Sequence, residues 1–202
     1  MTMNSTIKNG LILKPLQLGY YYIAGFLDGN GSILAQIVER KDYLFHYQIR
    51  FTISFVQQTS RRHFLIQLKK DLGKGTLRDR NDGISELAIV GWQSVAPLLE
   101  QLQSLLRIKV KQANLVLKII EQLPLTKKSP QKFLELCYLV DQVAALNDSK
   151  GHTVTAEVVE KHFKDLELIE GKKVPVETFS KVKDTQKIND LMSASTFGLN
   201  NR

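Results

Sequence analysis

The chain has 202 residues, 43% hydrophobic and 24% charged, with a formal net charge of +8 at pH 7. That length holds one hydrophobic core, alone or with an added tail, and the composition is that of a globular rather than a disordered protein. No apolar run reaches the length of a membrane-spanning helix; residues 1–17 show neither a signal-peptide pattern nor the Arg/Ser richness of an import peptide; and the single cysteine, Cys137, excludes an internal disulfide.

Residues 17–28 read as a helix with the small neighbours Ala24 and Gly25 in its apolar stretch, and the permissive backbone of Gly29 and Gly31 is expected to end it. From Ser32 the period changes to two. Ile33, Ala35 and Ile37 are apolar, while Gln36 and Arg40 point the other way, with Leu34 and Val38 interrupting that polar side. The next strand alternates more cleanly: Ile49, Phe51, Ile53 and Phe55 against Gln48, Arg50, Thr52 and Ser54. Alternate side chains occupy opposite faces of a strand, so one face becomes a core layer and the other offers donors and acceptors without an acidic group. Residues 43–47 fall at the far end of this hairpin.

Residues 61–72 return to helical spacing, with Phe64, Leu65, Leu68 and Leu72 in one stripe and Gly73 and Gly75 closing it. A second hairpin follows, residues 76–80 and 84–90, around the Asn81-Asp82-Gly83 turn. Residues 93–106 and 111–123 read as helices, and Ser129-Pro130 is an N-cap with Pro at the first helical position, opening a helix to about residue 147. Residues 155–168 make a further helix, and beyond Gly171 a Lys/Ser/Thr-rich, weakly patterned stretch is expected to be a loosely held tail. The fold class expected is α+β: helix, two strands, helix, two strands, then helices, around a four-stranded antiparallel sheet.

The basic surplus is concentrated. From Arg40 to Arg80 there are ten cations and three acids, in a segment patterned as strands, which makes that region a candidate nucleic-acid face. Cys137 reads as a buried small hydrophobe, Trp92 and Phe133 as core, and His46, His63, His152 and His162 lack the spacing of zinc ligands. Tyr20, Tyr21 and Tyr22 are expected to pack against the core or a partner helix rather than form a stacking platform.

The segment Tyr20-Tyr21-Tyr22-Ile23-Ala24-Gly25-Phe26-Leu27-Asp28-Gly29-Asn30-Gly31-Ser32 occurs once and resembles the signature of LAGLIDADG homing endonucleases, in which small residues let two such helices pack backbone to backbone. Arg61-Arg62, Arg78-Asp79-Arg80, residues 111–124 and residues 141–150 resemble the single-motif, homodimeric branch of that family, whose type member is encoded in a chloroplast intron. The similarity spans about residues 18–168, leaving residues 1–17 as an N-terminal extension and 169–202 as a C-terminal tail.

The resemblance implies an αββαββα core, a homodimer and a long pseudo-palindromic double-stranded DNA target, with Mg²⁺ as cofactor and no membrane partner. It places the metal-binding position on Asn30, beside the carbonyl of Gly29, the water-positioning glutamine on Gln57, and the cations near the scissile phosphate on Arg61 and Lys109. It places the DNA contacts on Gln36, Val38, Arg40, Gln48, Arg50, Thr52, Ser54, Arg78, Arg80 and Glu86, with Ser149 and Lys150 further along. In this chemistry a metal polarises the phosphodiester and supplies hydroxide near neutral pH, and cations meet the charge developing on the phosphoryl oxygens. Arg and Gln on a β-ribbon suit the major groove, where Arg reads guanine and Gln adenine.

Taken without the resemblance, Asn30 is a polar residue in a glycine-flanked turn, Arg61 and Arg62 are a solvated helix start, and Lys109 is one of several basic residues from Arg107 to Lys111. With it, Asp28 caps or braces the helix end, Arg62 stays on the surface, and Asn30 is a departure, because the family carries an Asp there. An amide keeps the shape of a carboxylate without its charge, and hard cations favour anionic oxygen. The expectation is tight DNA binding with cleavage slowed or lost, in an organelle, a chloroplast ahead of a mitochondrion. The competing readings are an RNA-binding intron maturase and a non-cleaving DNA-binding protein.

Overall fold

The computed structural model describes residues 15–147 and 154–169. Ser149, Lys150, His152 and the expected tail lie outside the described residues. Helix α1 is Pro15–Asn30, followed by strands β1 (Gly31–Glu39) and β2 (Tyr47–Gln58), a 3-10 turn at Thr59–Arg61, and helix α2 (Arg62–Leu72). Strands β3 (Thr76–Asp79) and β4 (Ile84–Val90) come next, then helices α3 (Trp92–Leu102) and α4 (Val110–Gln122), a 3-10 segment at Leu123–Lys128, and helices α5 (Pro130–Ala145) and α6 (Ala156–Asp165). The sheet is antiparallel throughout, in the order β1-β2-β4-β3. The expected α+β order is the observed one, and among the described residues no helix is long and apolar enough to cross a membrane.

Strand alternation does what the sequence asks of it. Ile33, Ala35 and Ile37 of β1, Ile49, Phe51, Ile53 and Phe55 of β2, and Leu87 and Ile89 of β4 are all buried on one face of the sheet. The helices supply Leu27, Leu65, Val95, Leu99, Leu102, Val116, Ile119 and Val140 to the buried set. Each such side chain contributes roughly 1.5–3 kcal/mol by leaving water. Phe133 is in this core, and Cys137 is buried so completely that desolvation pushes its thiol well above the usual range. With one sheet face committed to the helices, the other is left accessible.

Three details of these elements depart from what the sequence predicts. Helix α1 runs through Gly29 to Asn30 and passes straight into β1, and neither Gly29 nor Gly31 has a positive φ. Gly31 is needed for closeness instead: a Cβ there would stand 2.5 Å from Leu27 Cδ1 and 2.8 Å from the carbonyl oxygen of Ser54. The left-handed terminator is Gly73, at φ 65° after α2, as the sequence predicts. Helix α3 stops at Leu102 rather than near Leu106: the Leu105 and Leu106 N–H groups both donate to the Leu102 carbonyl, and the N–H groups of Arg107, Ile108 and Lys109 beyond them meet a carboxylate.

Trp92 is 49% exposed at the first turn of α3, not in the core. Tyr21 and Tyr22 are exposed, with Tyr22 edge-on to Phe64 at 5.8 Å between centroids. The α5 cap is as predicted, the Ser129 side chain accepting from the Lys132 N–H at 3.2 Å. Helix α6 is capped from a distance, Asp141 on α5 accepting from the Ala156 N–H at 2.9 Å. His46 and His162, remote in sequence, bring their rings to 5.6 Å.

Candidate nucleic-acid interface

The accessible face of the sheet is defined by register. Across β1 and β2, Val38 stands opposite Gln48, Gln36 opposite Arg50, Leu34 opposite Thr52 and Ser32 opposite Ser54. Across β3 and β4, Arg78 stands opposite Glu86. All share the parity opposite to the core residues, so the structure brings Gln36, Val38, Gln48, Arg50, Thr52, Ser54, Arg78 and Glu86 onto one surface. Ser54 sits deepest, only 5% exposed at the middle of the sheet. Ser32, Thr76 and Gln58 share the surface and were missed by the sequence reading, although parity alone marks them.

The charges on this face are held in place. Arg78 donates through Nε and Nη2 to Glu86 Oε2, at 3.0 and 2.6 Å. Just past β1, Arg40 forks onto Asp42 at 2.9 and 2.8 Å, which holds that carboxyl below its ordinary value. Arg80, just past β3, pairs with Asp82 at 2.8 Å. On the opposite parity Asp79 accepts from Ser85 at 2.7 Å and from Arg62 at 2.9 Å, and these bonds lower its pKa in that order of importance. Arg62 is therefore an anchor for β3 rather than a plain surface residue.

The end of α1 is built differently. Asn30 and Gly29 are exposed, whereas Asp28, two residues earlier, is buried at 9% exposure. Asp28 Oδ2 accepts from the N–H groups of Arg107 and Ile108 at 2.6 and 3.2 Å, and Oδ1 from that of Lys109 at 2.9 Å. In return Lys109 Nζ donates to the carbonyl oxygen of Asp28. Lys109 is the N-cap residue of α4, so a carboxylate meets one helix N-terminus while an ammonium meets another helix C-terminus. The sequence reading had Asp28 bracing the helix end; the partner segment, about 80 residues on, carried no signal.

Register places Gln57 two positions beyond Phe55, the partner of Gly31, with its side-chain oxygen accepting from the Gln58 N–H at 2.9 Å. Arg61 is exposed at the end of the 3-10 turn and has no ion pair among the described residues. Of the two cations expected near the phosphate, Lys109 is thus tied to the end of α1, while Arg61 is held by no acid among the described residues.

The donor set here does not fit a firmly held Mg²⁺. Asn30 brings a neutral amide, and both oxygens of Asp28 are taken by three backbone donors. Among the described residues no three His, Cys, Asp or Glu side chains are grouped to hold a metal. Hard divalent cations favour anionic oxygen, and the described residues of one chain leave none free at this point.

The sequence profile of the LAGLIDADG endonucleases matches residues 23–140. This chain belongs to that family. It is 51% identical over 138 residues to the DNA endonuclease I-CreI of Chlamydomonas reinhardtii, covering 68% of this chain and 84% of that relative. It is 45% identical over 150 residues to the DNA endonuclease I-CvuI of Chlorella vulgaris, covering 74% of this chain and 92% of that relative. A crystal structure of I-CvuI in complex with the I-CreI target, in the presence of 2 mM Mg and with the DNA not cleaved, superposes with a TM-score of 0.72 at 44% identity, covering 76% of this chain and 98% of that one. An archaeal intron-encoded homing endonuclease complexed with DNA shares the fold at 16% identity, with a TM-score of 0.67 over 76% of this chain and 99% of that one. The LAGLIDADG fold is thus the frame on which both the open sheet and the Asn30 site are mounted.

Proposed function

We propose that this chain is a site-specific double-stranded-DNA-binding protein of the homing endonuclease type, acting as a homodimer, in which Asn30 impairs or abolishes Mg²⁺-dependent hydrolysis of the two strands. The observation that carries the reading is the open sheet face, where cross-strand pairs of Gln, Arg, Val and Glu stand in register with no covering layer among the described residues. A twisted two-stranded ribbon enters the major groove, and those side-chain types match base edges there. The cations beside it supply the sequence-independent grip on phosphate.

Two copies follow from one signature per chain. Gly25 and Gly29 are exposed on α1 with open space at their missing Cβ positions, which suits close approach of a second α1. A twofold pair of reading faces calls for a pseudo-palindromic site. Residues 18–168 form the endonuclease domain in this reading, between an extension at residues 1–17 and a tail at residues 169–202. The catalytic set is Asn30, Gln57, Arg61 and Lys109, with Gly29 and Asn30 at the metal position. That set lacks an anionic ligand, which is why hydrolysis is impaired in this reading. The algal relatives favour a chloroplast, ahead of a mitochondrion, as the compartment.

Selection from a randomised duplex pool, followed by sedimentation of the selected complex, tests the reading. It predicts one enriched, nearly symmetric sequence bound by two chains, with affinity falling steeply as salt rises. A pool without an enriched sequence, or a complex holding one chain, overturns it. Preference for a structured intron RNA over every duplex favours the maturase reading instead.

A further inference from the structure

The arginines of the reading face are not equivalent. Arg40, Arg78 and Arg80 each pair with a carboxylate, at 2.8, 2.6 and 2.8 Å. Arg50 meets no carboxylate among the described residues. It stands directly opposite Gln36 across the β1–β2 ladder, and its Nη2 donates to Gln36 Oε1 at 3.2 Å. Its charge is therefore not cancelled, and its partner is a neutral amide.

That bond sets what the pair shows to a ligand. With Oε1 turned to Arg50, Gln36 keeps the two N–H donors of its amide and one lone pair on an oxygen held against a cation, and Arg50, which has no acceptor, keeps its remaining N–H groups. Two side chains that would separately read different bases now present chiefly donors. Among the major-groove edges, guanine alone offers two acceptors, N7 and O6. Adenine places a donor beside its N7, cytosine shows a donor, and thymine sets one acceptor beside a methyl group. A free glutamine suits adenine because it can accept from N6 while donating to N7. Arg50 disfavours that option by taking one of the two lone pairs and turning the oxygen toward its own guanidinium.

We propose that Gln36 and Arg50 read guanine as one unit in each half of the bound duplex, with Arg50 holding Gln36 in its donor orientation. This rests on the DNA-reading assignment above and specifies part of the sequence read. The neighbouring pair differs: Val38 opposite Gln48 has no arginine to take the amide oxygen, so Gln48 keeps both its donor and its acceptor.

The test is selection from a randomised duplex pool with the full-length chain as wild type, Arg50→Ala, Arg50→Met and Gln36→Ala. The wild type should enrich a guanine at one symmetric position in each half-site, by roughly ten- to a hundredfold over other bases. Arg50→Ala and Arg50→Met, which free the Gln36 oxygen, should switch that position to adenine. Gln36→Ala should keep guanine with weaker binding. All three change accessible side chains, and thermal melts check that each variant folds. An Arg50 variant that keeps guanine, or loses the preference without acquiring adenine, overturns the unit. A wild-type protein that enriches no duplex overturns the DNA-reading assignment, and this one with it.

Discussion

The open face of the sheet and the end of α1 are both polar and both reach solvent, yet their hydrogen-bonding groups are turned in opposite directions. On the sheet, acids clamp three of the arginines while Arg50, Gln36 and Gln48 keep groups free for a partner. At the end of α1 the one acid, Asp28, spends its whole carboxylate on the backbone of residues 107–109, and the residue that faces out, Asn30, is uncharged. The contrast teaches that recognition and hydrolysis rest on separable inventories of charge. In the proposed function, a single amide in place of a carboxylate removes the anionic ligand from one region and leaves the other intact.

The largest effect expected from breaking this contrast is at Asp28. Asp28→Ala leaves three N–H groups at the start of α4 without their acceptor and frees Lys109 from its seat. At roughly 1–3 kcal/mol for an unsatisfied buried donor, relieved in part by water at the exposed Ile108, the loss should be about 3 kcal/mol. For a chain of this size that is a fall in Tm on the order of 10 °C, read by calorimetry. A fall under ~2 °C would mean that the clasp does not hold the two helix ends together.

On the sheet the effects should appear in binding rather than in folding. Arg78→Ala strands the Glu86 carboxylate on the reading face and should weaken duplex binding about tenfold or more with an almost unchanged melt. Adding Glu86→Ala to that variant should return part of the affinity by removing the unpaired anion. Recovery of nothing would show that Arg78 acts on the duplex independently of Glu86.

The smallest effect is the acid limb of stability at Asp79. Its folded pKa is lowered by Ser85 and then Arg62, so the stabilisation is present above the ordinary carboxylate value of 3.8 and is lost as pH falls through the lower folded value. Thermal melts between about pH 5 and 2 should therefore fall less steeply for Asp79→Asn than for the wild type. Identical slopes would assign no folding role to this pair.

Much of this arrangement was legible beforehand, for a definite reason. Alternation from Gln48 to Phe55 reports which strand face is apolar, and a four-stranded antiparallel sheet with one buried face then sets which residues share the other. Ser129-Pro130 announces the start of α5 because a cap acts within one turn. What stayed hidden acts over long separations. Periodicity cannot report that Asp28 meets residues 107–109, that Asp141 caps α6, or that Arg62 reaches Asp79. Trp92 misled because a large aromatic suggests burial, whereas its place at the first turn of α3 leaves it half in solvent. The role of Gly31 was misjudged for a related reason: sequence cannot separate a glycine needed for φ from one needed for space.

The separation of reading from cutting is tested most directly on the duplex selected by the wild-type chain. Strand scission of that duplex should be followed with Mg²⁺ for the wild type and for Asn30→Asp side by side, at matched DNA occupancy. The expected result is equal binding, little or no cleavage by the wild type, and cleavage of both strands by Asn30→Asp faster by roughly 100-fold or more. Equal rates for the two proteins, fast or absent, would contradict it.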